Sequence, residues 1–235
     1  MKSSLSIIVP AYNEEKNIPS ILKEFRNIHE ENIFELVLVD NGSTDNSAMI
    51  LEKEMKKEKN HFVTIVTIKK NVGYGHGIMS GLKASRGDIL CWTHADMQTP
   101  PIDCIRAYKA LLENNDDNTL IKGKRLKRSM GGYLFTLGMS LLASIVLGKF
   151  LYDINAQPKI FPRSFLKKMK NPPDDFSLDL YCLYLAKKKG YKIRTIDVTF
   201  KNRLFGESKW AFSISSKIKT IWRTIKYIFY VKNYS

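Results

Sequence analysis

The sequence predicts an α/β fold with a mostly parallel, doubly wound sheet. Apolar runs of strand length alternate with segments of helical periodicity along the chain. Strands are expected at 5–10, 34–39, 62–68 and 89–93, and again near residue 160 and at 191–200. Strands that alternate with helices form parallel sheets with helices on both faces. At 44% hydrophobic residues, a chain of 235 residues can bury a sizeable core.

Polar clusters follow three of these predicted strands. They are Asp40–Asp45, Asn71–Gly77 and His94–Gln98. Parallel strands end at a common edge of the sheet, and ligand sites of α/β proteins lie outside that edge. The glycines of the second cluster lack the GxGxxG spacing of a dinucleotide site. They are interpreted as a loop that lets the backbone approach a ligand closely, with an ordinary glycine-rich turn as the alternative.

The third cluster has the residue types of a metal or phosphate site. Side chains two residues apart in a strand point the same way, so His94, Asp96 and Gln98 would converge if the extended conformation persisted beyond residue 93. Two prolines stop the segment at residues 100 and 101. The alternative is a strand that runs into a plain polar turn.

The composition favours anionic partners and a reducing compartment. The formal net charge is +15, which suits nucleotide diphosphates, lipid phosphates, an acidic membrane surface or nucleic acid. Three cysteines without CxxC spacing argue against a disulfide framework and a structural zinc site. The apolar run at the amino terminus is too short for a signal peptide. These features predict a cytoplasmic protein.

Two segments are candidates for membrane contact. Residues 129–148 carry no charge and have a small or weakly polar residue at every fourth position. This pattern favours a helix that lies in a membrane interface or packs through its small face, with a core helix as the alternative. The tail, 211–235, is a basic amphipathic helix with isoleucines on one face, typical of a membrane-surface helix or of an oligomer-forming helix. Residues 1–210 are expected to form one α/β domain.

Several motifs, in order, resemble the family-two inverting glycosyltransferases of the GT-A fold. The segments that carry this resemblance are 10–14 (PAYNE), 39–45 (VDNGSTD), 71–73 (NVG) and 94–101 (HADMQTPP). Within the family, 123–125, 153–161 and 203–210 are similar to the polyprenyl-phosphate sugar synthases, the group that includes dolichyl-phosphate mannose synthase. The resemblance covers about residues 5 to 210 and implies sugar transfer from a nucleotide-sugar donor.

The resemblance also implies roles for individual residues. The donor would be held by a set on four segments: Pro10, Tyr12, Glu14, Asp40, Asn71, Gly73, Ala95 and Asp96. Asp96, assisted by Gln98, would bind Mg²⁺ or Mn²⁺. His94 stands where the family's Asp-x-Asp motif has its first aspartate. Imidazole suits Mn²⁺ better than Mg²⁺, so the metal is left open.

On the acceptor side, cationic side chains would gather round an anionic phosphate. They are Arg125, Arg128, Arg203 and Lys209. Asp179, expected on an exposed helical turn, resembles the acid that takes the proton from a hydroxyl acceptor, and the catalytic set would be Asp96, Asp179 and Arg203. An ionised phosphate acceptor needs no such base.

The residues to which this resemblance assigns a role in the site lie on both sides of the uncharged segment 129–148. A helix that crossed the bilayer would separate them, so the run is expected to be monotopic, beside the tail helix. The leading hypothesis is a membrane-surface glycosyltransferase that uses polyprenyl phosphate. The alternatives are a glycosyltransferase with a saccharide hydroxyl acceptor and a non-catalytic nucleotide-sugar-binding module. No nucleic-acid partner is expected, and a homo-oligomer is left open.

Overall fold

The computed structural model describes residues 4–114, 116–126, 130–201 and 214–234. Its strands are β1 Leu5–Ala11, β2 Glu35–Asp40, β3 Val63–Thr67, β4 Ile89–Trp92, β5 Thr119–Leu126, β6 Lys159–Pro162 and β7 Lys192–Thr199. Its α-helices are α1 Ile18–His29, α2 Ser47–Met55, α3 Tyr74–Ala84, α4 Ile102–Glu113, α5 Met130–Leu147, α6 Arg163–Leu166, α7 Ser177–Lys188 and α8 Ile214–Tyr234.

The seven strands form one mixed, mostly parallel sheet in the order β3-β2-β1-β4-β6-β5-β7. β6 is antiparallel to both of its neighbours, β4 and β5, whereas the other pairs are parallel. The predicted fold class is therefore confirmed. The insertion of β6 between β4 and β5 was not predicted, and it has consequences for the candidate site.

The alternation of side chains along the strands builds a core on each face of the sheet. Ile8, Leu90 and Trp92 belong to one cluster, which includes residues of α3, α5, α7 and α8. Ile7 and Cys91, their neighbours in sequence, belong to the other, which includes residues of α1 and α4. The apolar residues predicted to face the core from α1, including Ile18 and Phe25, are fully buried there.

The prediction of a glycine-rich loop at 73–77 was wrong in part. Gly73 is the N-cap of α3, and Gly75 and Gly77 lie in its first turn. A side chain cannot be accommodated there, since a Cβ atom on Gly75 would lie 2.2 Å from the carbonyl oxygen of Pro173. These glycines allow close helix packing rather than an open loop.

The two predicted membrane helices pack against each other. Ala143 and Leu147 of α5 share a core cluster with Ile228 and Val231 of α8. Ser140, part of the small stripe on α5, is also buried. Exposed apolar side chains remain on both helices: Leu137, Leu141 and Ile145 on α5, and Ile218, Trp222 and Phe229 on α8. Among the residues that the structure describes, no helix has both the length and the apolar character needed to cross a bilayer.

Two helical glycines provide a matched test of how α3 packs on the sheet. A Cβ atom on Gly81 would lie 2.5 Å from Cγ2 of Ile8 and 2.8 Å from Cγ2 of Val39, whereas one on Gly138 of α5 meets nothing within 4 Å. Alanine improves helix propensity by about 0.8–1 kcal/mol at both sites. We expect Gly138→Ala to stabilise the protein by about that amount, and Gly81→Ala to destabilise it by about 1–2 kcal/mol because the core is overpacked.

Urea denaturation of the two variants and the parent measures this difference directly. Equal stabilisation by both substitutions would show that α3 is not in tight contact with β1 and β2.

Candidate active site

The polar clusters predicted from the sequence lie at one edge of the sheet. β1, β2 and β4 are parallel neighbours, with Ala11 paired to Asp40 on one side and Ile8 paired to Trp92 on the other. The residues that follow β2 and β4 therefore leave the sheet on either side of β1. This edge is where an α/β sheet binds its ligands.

The segments after β1 and β2 are joined by hydrogen bonds. Asn13, in the left-handed conformation with φ of 55°, donates its backbone N–H to Ser43 Oγ (3.0 Å) and accepts from the N–H of Thr44 (2.8 Å). Glu14 N–H donates to Ser47 Oγ at 3.1 Å. The Asp40 carboxylate is buried and accepts the N–H of Ser43 at 3.0 Å. Pro10, Tyr12, Glu14 and Asp40, the residues predicted to hold the donor, thus lie on two segments that hydrogen bonds join.

The segment before α3 lies against the same cluster. Asn41 donates its side-chain amide to the carbonyl of Gly73 at 3.0 Å. Gly42 has a φ of 74°, and a Cβ atom there would lie 2.3 Å from the backbone nitrogen of Asn71. The structure therefore brings Asn71 and Gly73 next to the end of β2.

Beyond β4, the extended conformation does not persist. The strand ends at Trp92, and the chain turns at Met97, which has a φ of 57°. Asp96 Oδ1 accepts the backbone N–H of Gln98 at 3.1 Å, and the Gln98 side chain donates to the carbonyl of Lys201 at 3.0 Å. The expectation that alternate side chains converge by strand geometry was therefore wrong.

Asp96 is almost fully buried in this turn, as is Ala95. The His94 ring packs against Tyr74, with 5.6 Å between ring centroids. Burial lowers the pKa of His94, although the nearby carboxylates of Asp96 and Asp179 act in the opposite direction. Among the described residues, no group of three or more His, Cys, Asp or Glu could hold a metal ion. A metal at Asp96 would need oxygen ligands from a bound substrate or from water.

Asp179 is not on an exposed turn, contrary to the prediction. It lies in the first turn of α7 with 1% of its surface exposed, and its Oδ1 accepts a hydrogen bond from Lys159 Nζ, which is fully buried. Gln157 donates its amide to the same oxygen at 3.0 Å and also to the Tyr74 hydroxyl at 3.2 Å. The Lys159 ammonium also donates to the carbonyl of Ala156 and lies 5.7 Å from the centre of the Trp92 ring. The Asp179 carboxylate is thus buried, paired with a lysine and hydrogen-bonded.

Gln157, Lys159 and Tyr74 were missed as site residues by the sequence analysis. One signal was available, because a lysine followed by the apolar pair Ile160 and Phe161 is unusual in a short buried strand. Burial, together with the nearby Asp179 carboxylate, raises the pKa of Tyr74 well above its usual value. Tyr74 is therefore a neutral hydrogen-bonding group at physiological pH.

Arg125 is held by Asp153. Its Nε and Nη2 both bond to Asp153 Oδ1, its backbone N–H bonds to Asp153 Oδ2 at 3.0 Å, and its guanidinium lies 5.3 Å from the centre of the Phe200 ring. Burial acts to raise the pKa of Asp153, but the Arg125 bonds and the nearby Lys122 ammonium hold it below its usual value. The other predicted phosphate ligands, Arg128, Arg203 and Lys209, lie outside the described residues.

The comparisons with known proteins agree on the family and the fold. The sequence model described as "Glycosyl transferase family 2" matches residues 6–185. The chain is 28% identical over 216 residues to the undecaprenyl-phosphate 4-deoxy-4-formamido-L-arabinose transferase of Proteus mirabilis, covering 89% of this chain and 64% of that protein. It is 29% identical over 210 residues to the enzyme of the same name from Shewanella sediminis, covering 88% and 62%. The chain therefore spans slightly less than two thirds of these relatives' length.

Two solved structures show the same architecture. Glucosyl-3-phosphoglycerate synthase of Mycobacterium tuberculosis, in complex with Mn²⁺, UDP and glucosyl-3-phosphoglycerate, superposes with a TM-score of 0.72 at 17% identity, covering 98% of this chain and 80% of that one. A mannosyltransferase of Pyrobaculum calidifontis, in complex with GDP-Man and Mn²⁺, gives 0.65 at 19% identity, covering 90% and 60%. The predicted GT-A fold is confirmed, and the chain belongs to glycosyl transferase family 2.

Proposed function

We propose that the protein is an inverting glycosyltransferase that moves a sugar from a nucleotide-sugar donor to a polyprenyl phosphate, such as undecaprenyl or dolichyl phosphate, at the cytoplasmic face of a membrane. Family membership and the relatives named for undecaprenyl-phosphate sugar transfer support this proposal. In the proposed step, an acceptor phosphate oxygen bonds to the anomeric carbon from one side. The bond to the donor's diphosphate breaks on the other side, and the nucleoside diphosphate leaves with the electron pair.

The state of Asp179 is the observation that favours a phosphate acceptor over a hydroxyl. A hydroxyl acceptor needs a general base, and a base must reach the proton that it takes. Asp179 is buried, and its Oδ1 is already bonded to Lys159 and Gln157. A phosphate monoester is ionised near neutral pH and brings its own anionic nucleophile, so it needs no base. We therefore assign Asp179 a role in positioning.

The donor site proposed here lies at the carboxyl edge of β1, β2 and β4. The nucleoside would lie against Pro10, Tyr12, Glu14 and Asp40, whose segments are interlocked. Its diphosphate would lie between Asn71–Gly73 and Ala95–Asp96. Nucleotide complexes of the structural neighbours support the class of donor.

A divalent cation fits this site as a partner of the donor. Mg²⁺ and Mn²⁺ are commonly held by one or two carboxylates together with substrate phosphates, and Asp96 provides one carboxylate at the strand end. The cation would neutralise charge on the departing diphosphate. Asp96 is the proposed ligand. Gln98 is a weaker candidate because its amide nitrogen is directed to Lys201, and His94 is weaker still because its ring packs on Tyr74.

The acceptor phosphate is proposed to lie near Arg125, together with Arg128, Arg203 and Lys209 from outside the described residues. The exposed apolar side chains of α5 and α8, accompanied by the exposed cations Lys149, Lys226 and Lys232, would rest on an anionic membrane surface. The active site would then meet the lipid headgroup without crossing the bilayer.

Acceptor class is tested with a matched pair of lipids. Purified protein is incubated with a panel of nucleotide sugars and anionic vesicles that contain either a polyprenyl phosphate or the corresponding polyprenol. We expect one donor to yield a lipid-linked sugar with the phosphate and none with the alcohol, and the protein to sediment with the vesicles. Transfer to the alcohol, or no transfer from any donor, would refute the proposal.

Asp96→Asn tests the cation. Loss of the single proposed carboxylate ligand should reduce turnover by at least about 100-fold and weaken Mn²⁺ binding to the nucleotide-bound protein in calorimetry. Asp116→Asn is the control, because Asp116 lies before β5 at the opposite edge of the sheet, paired with Lys192. Full activity of Asp96→Asn, or full activity of the parent in the presence of chelator, would show that turnover needs no cation at Asp96.

A further inference from the structure

Phe176 is an exposed aromatic residue that packs on Tyr74 at the edge of the candidate site. It is the N-cap residue of α7, three positions before Asp179, and it is 42% exposed. Its ring stacks on Tyr74 with 4.7 Å between centroids and an angle of 14°. Tyr74 in turn contacts His94 and accepts a hydrogen bond from Gln157. Phe176 is therefore the outermost ring of a stack that begins beside Asp96.

The backbone before Phe176 is fixed as well. The carbonyl of Asp174 accepts the N–H of His76 at 3.0 Å, and the two side chains pair at 3.1 Å. A Cβ atom on Gly73 would lie 2.2 Å from the same carbonyl, so the segment packs directly on the start of α3. The exposure of Phe176 is thus a feature of an ordered segment, and a fixed apolar ring beside a polar site is typical of a ligand-binding surface.

The position of Phe176 indicates the side from which a ligand reaches it. The adjacent Asp175 carboxylate lies 3.6 Å from Arg223 Nε of α8. The residue before Arg223 is Trp222, an exposed residue of the apolar surface on α8. Phe176 therefore lies between α8 and the Tyr74–His94 pair. Arg125 is near enough to His94 to lower its pKa. A lipid that enters from α8 with its phosphate toward Arg125 would therefore place its first apolar unit at Phe176.

We infer that Phe176 binds the isoprene unit next to the acceptor phosphate and so contributes to selection of a polyprenyl chain. This inference rests on the proposed function and assigns Phe176 to the binding of the acceptor's isoprenoid chain. An aromatic face offers apolar contact area without a hydrogen-bonding partner, which matches an isoprenoid and leaves the phosphate to the cationic groups. The nucleoside lies on the far side of Gly73 in the proposed donor site, so Phe176 should affect the acceptor and spare the donor.

The test separates the two substrates kinetically. With farnesyl phosphate as a water-soluble acceptor, Phe176→Ala should raise the KM for the acceptor about tenfold, the effect of a lost apolar contact, and leave the KM for the donor within about twofold. Phe176→Tyr keeps the ring and should restore the acceptor KM. Phe150→Ala, at an exposed phenylalanine that follows α5, is the matched control and should behave as the parent.

Two further measurements test the role of Phe176 separately from the proposed sugar transfer. Methyl phosphate, which lacks a chain, should inhibit the parent and Phe176→Ala equally. Direct binding of farnesyl phosphate by calorimetry does not depend on sugar transfer, so weaker binding to Phe176→Ala would support the inference even if transfer failed and the proposed function with it. An unchanged acceptor affinity, a raised donor KM, or a fall in kcat alone would overturn it, since the ring would then serve the donor or merely support Tyr74.

Discussion

Removing two opposite charges from water costs several kcal/mol for each ion, so Lys159 and Asp179 can be buried only together. Their contact joins β6 to α7 with essentially no exposure of either side chain. Gln157 also donates a hydrogen bond to the Tyr74 hydroxyl, and the Tyr74 ring contacts the rings of His94 and Phe176. The buried pair and its hydrogen bonds thus connect α7 with the start of α3 and with the aromatic side chains of the candidate site.

The pair is possible because of the antiparallel strand β6. In the sheet, Lys159 is aligned with Trp92 of β4 on one side and with Lys122 of β5 on the other. Lys122 is also buried, and its pKa is lowered to about 7, mainly by burial, with Asp153 acting in the opposite direction. Two lysines and two aspartates therefore lie near one another under the site, and Arg125 is bound to one of the carboxylates. These charges are mostly paired within a largely desolvated cluster, and the pairing with Asp153 holds Arg125 in place.

Local sequence rules predicted the part of the candidate site that follows the parallel strands. Asp40 and Asp96 were predicted because polar residues after buried strands meet at one edge of the sheet. The strands other than β5 were predicted to within about two residues, whereas β5 was not predicted as a strand. The environment of Asp179 depends on the register of β6, which is set by contacts between residues far apart in sequence. Periodicity carries no information about such contacts. The same is true of Gly73 and Gly75, which lie against the backbone at 173–175.

The central claim is that Asp179 positions the site through Lys159 and does not act as a base. The double substitution Lys159→Gln with Asp179→Asn removes both charges together and keeps groups that can hydrogen-bond to Gln157. Turnover of a polyprenyl phosphate by this variant, compared with the parent and with Asp179→Asn alone, tests the claim most directly. The account predicts that the folded double variant retains turnover within about tenfold, while Asp179→Asn alone is strongly destabilised by its uncompensated lysine. A folded double variant that loses turnover by about 100-fold to 10,000-fold, the usual contribution of a general base, would contradict it.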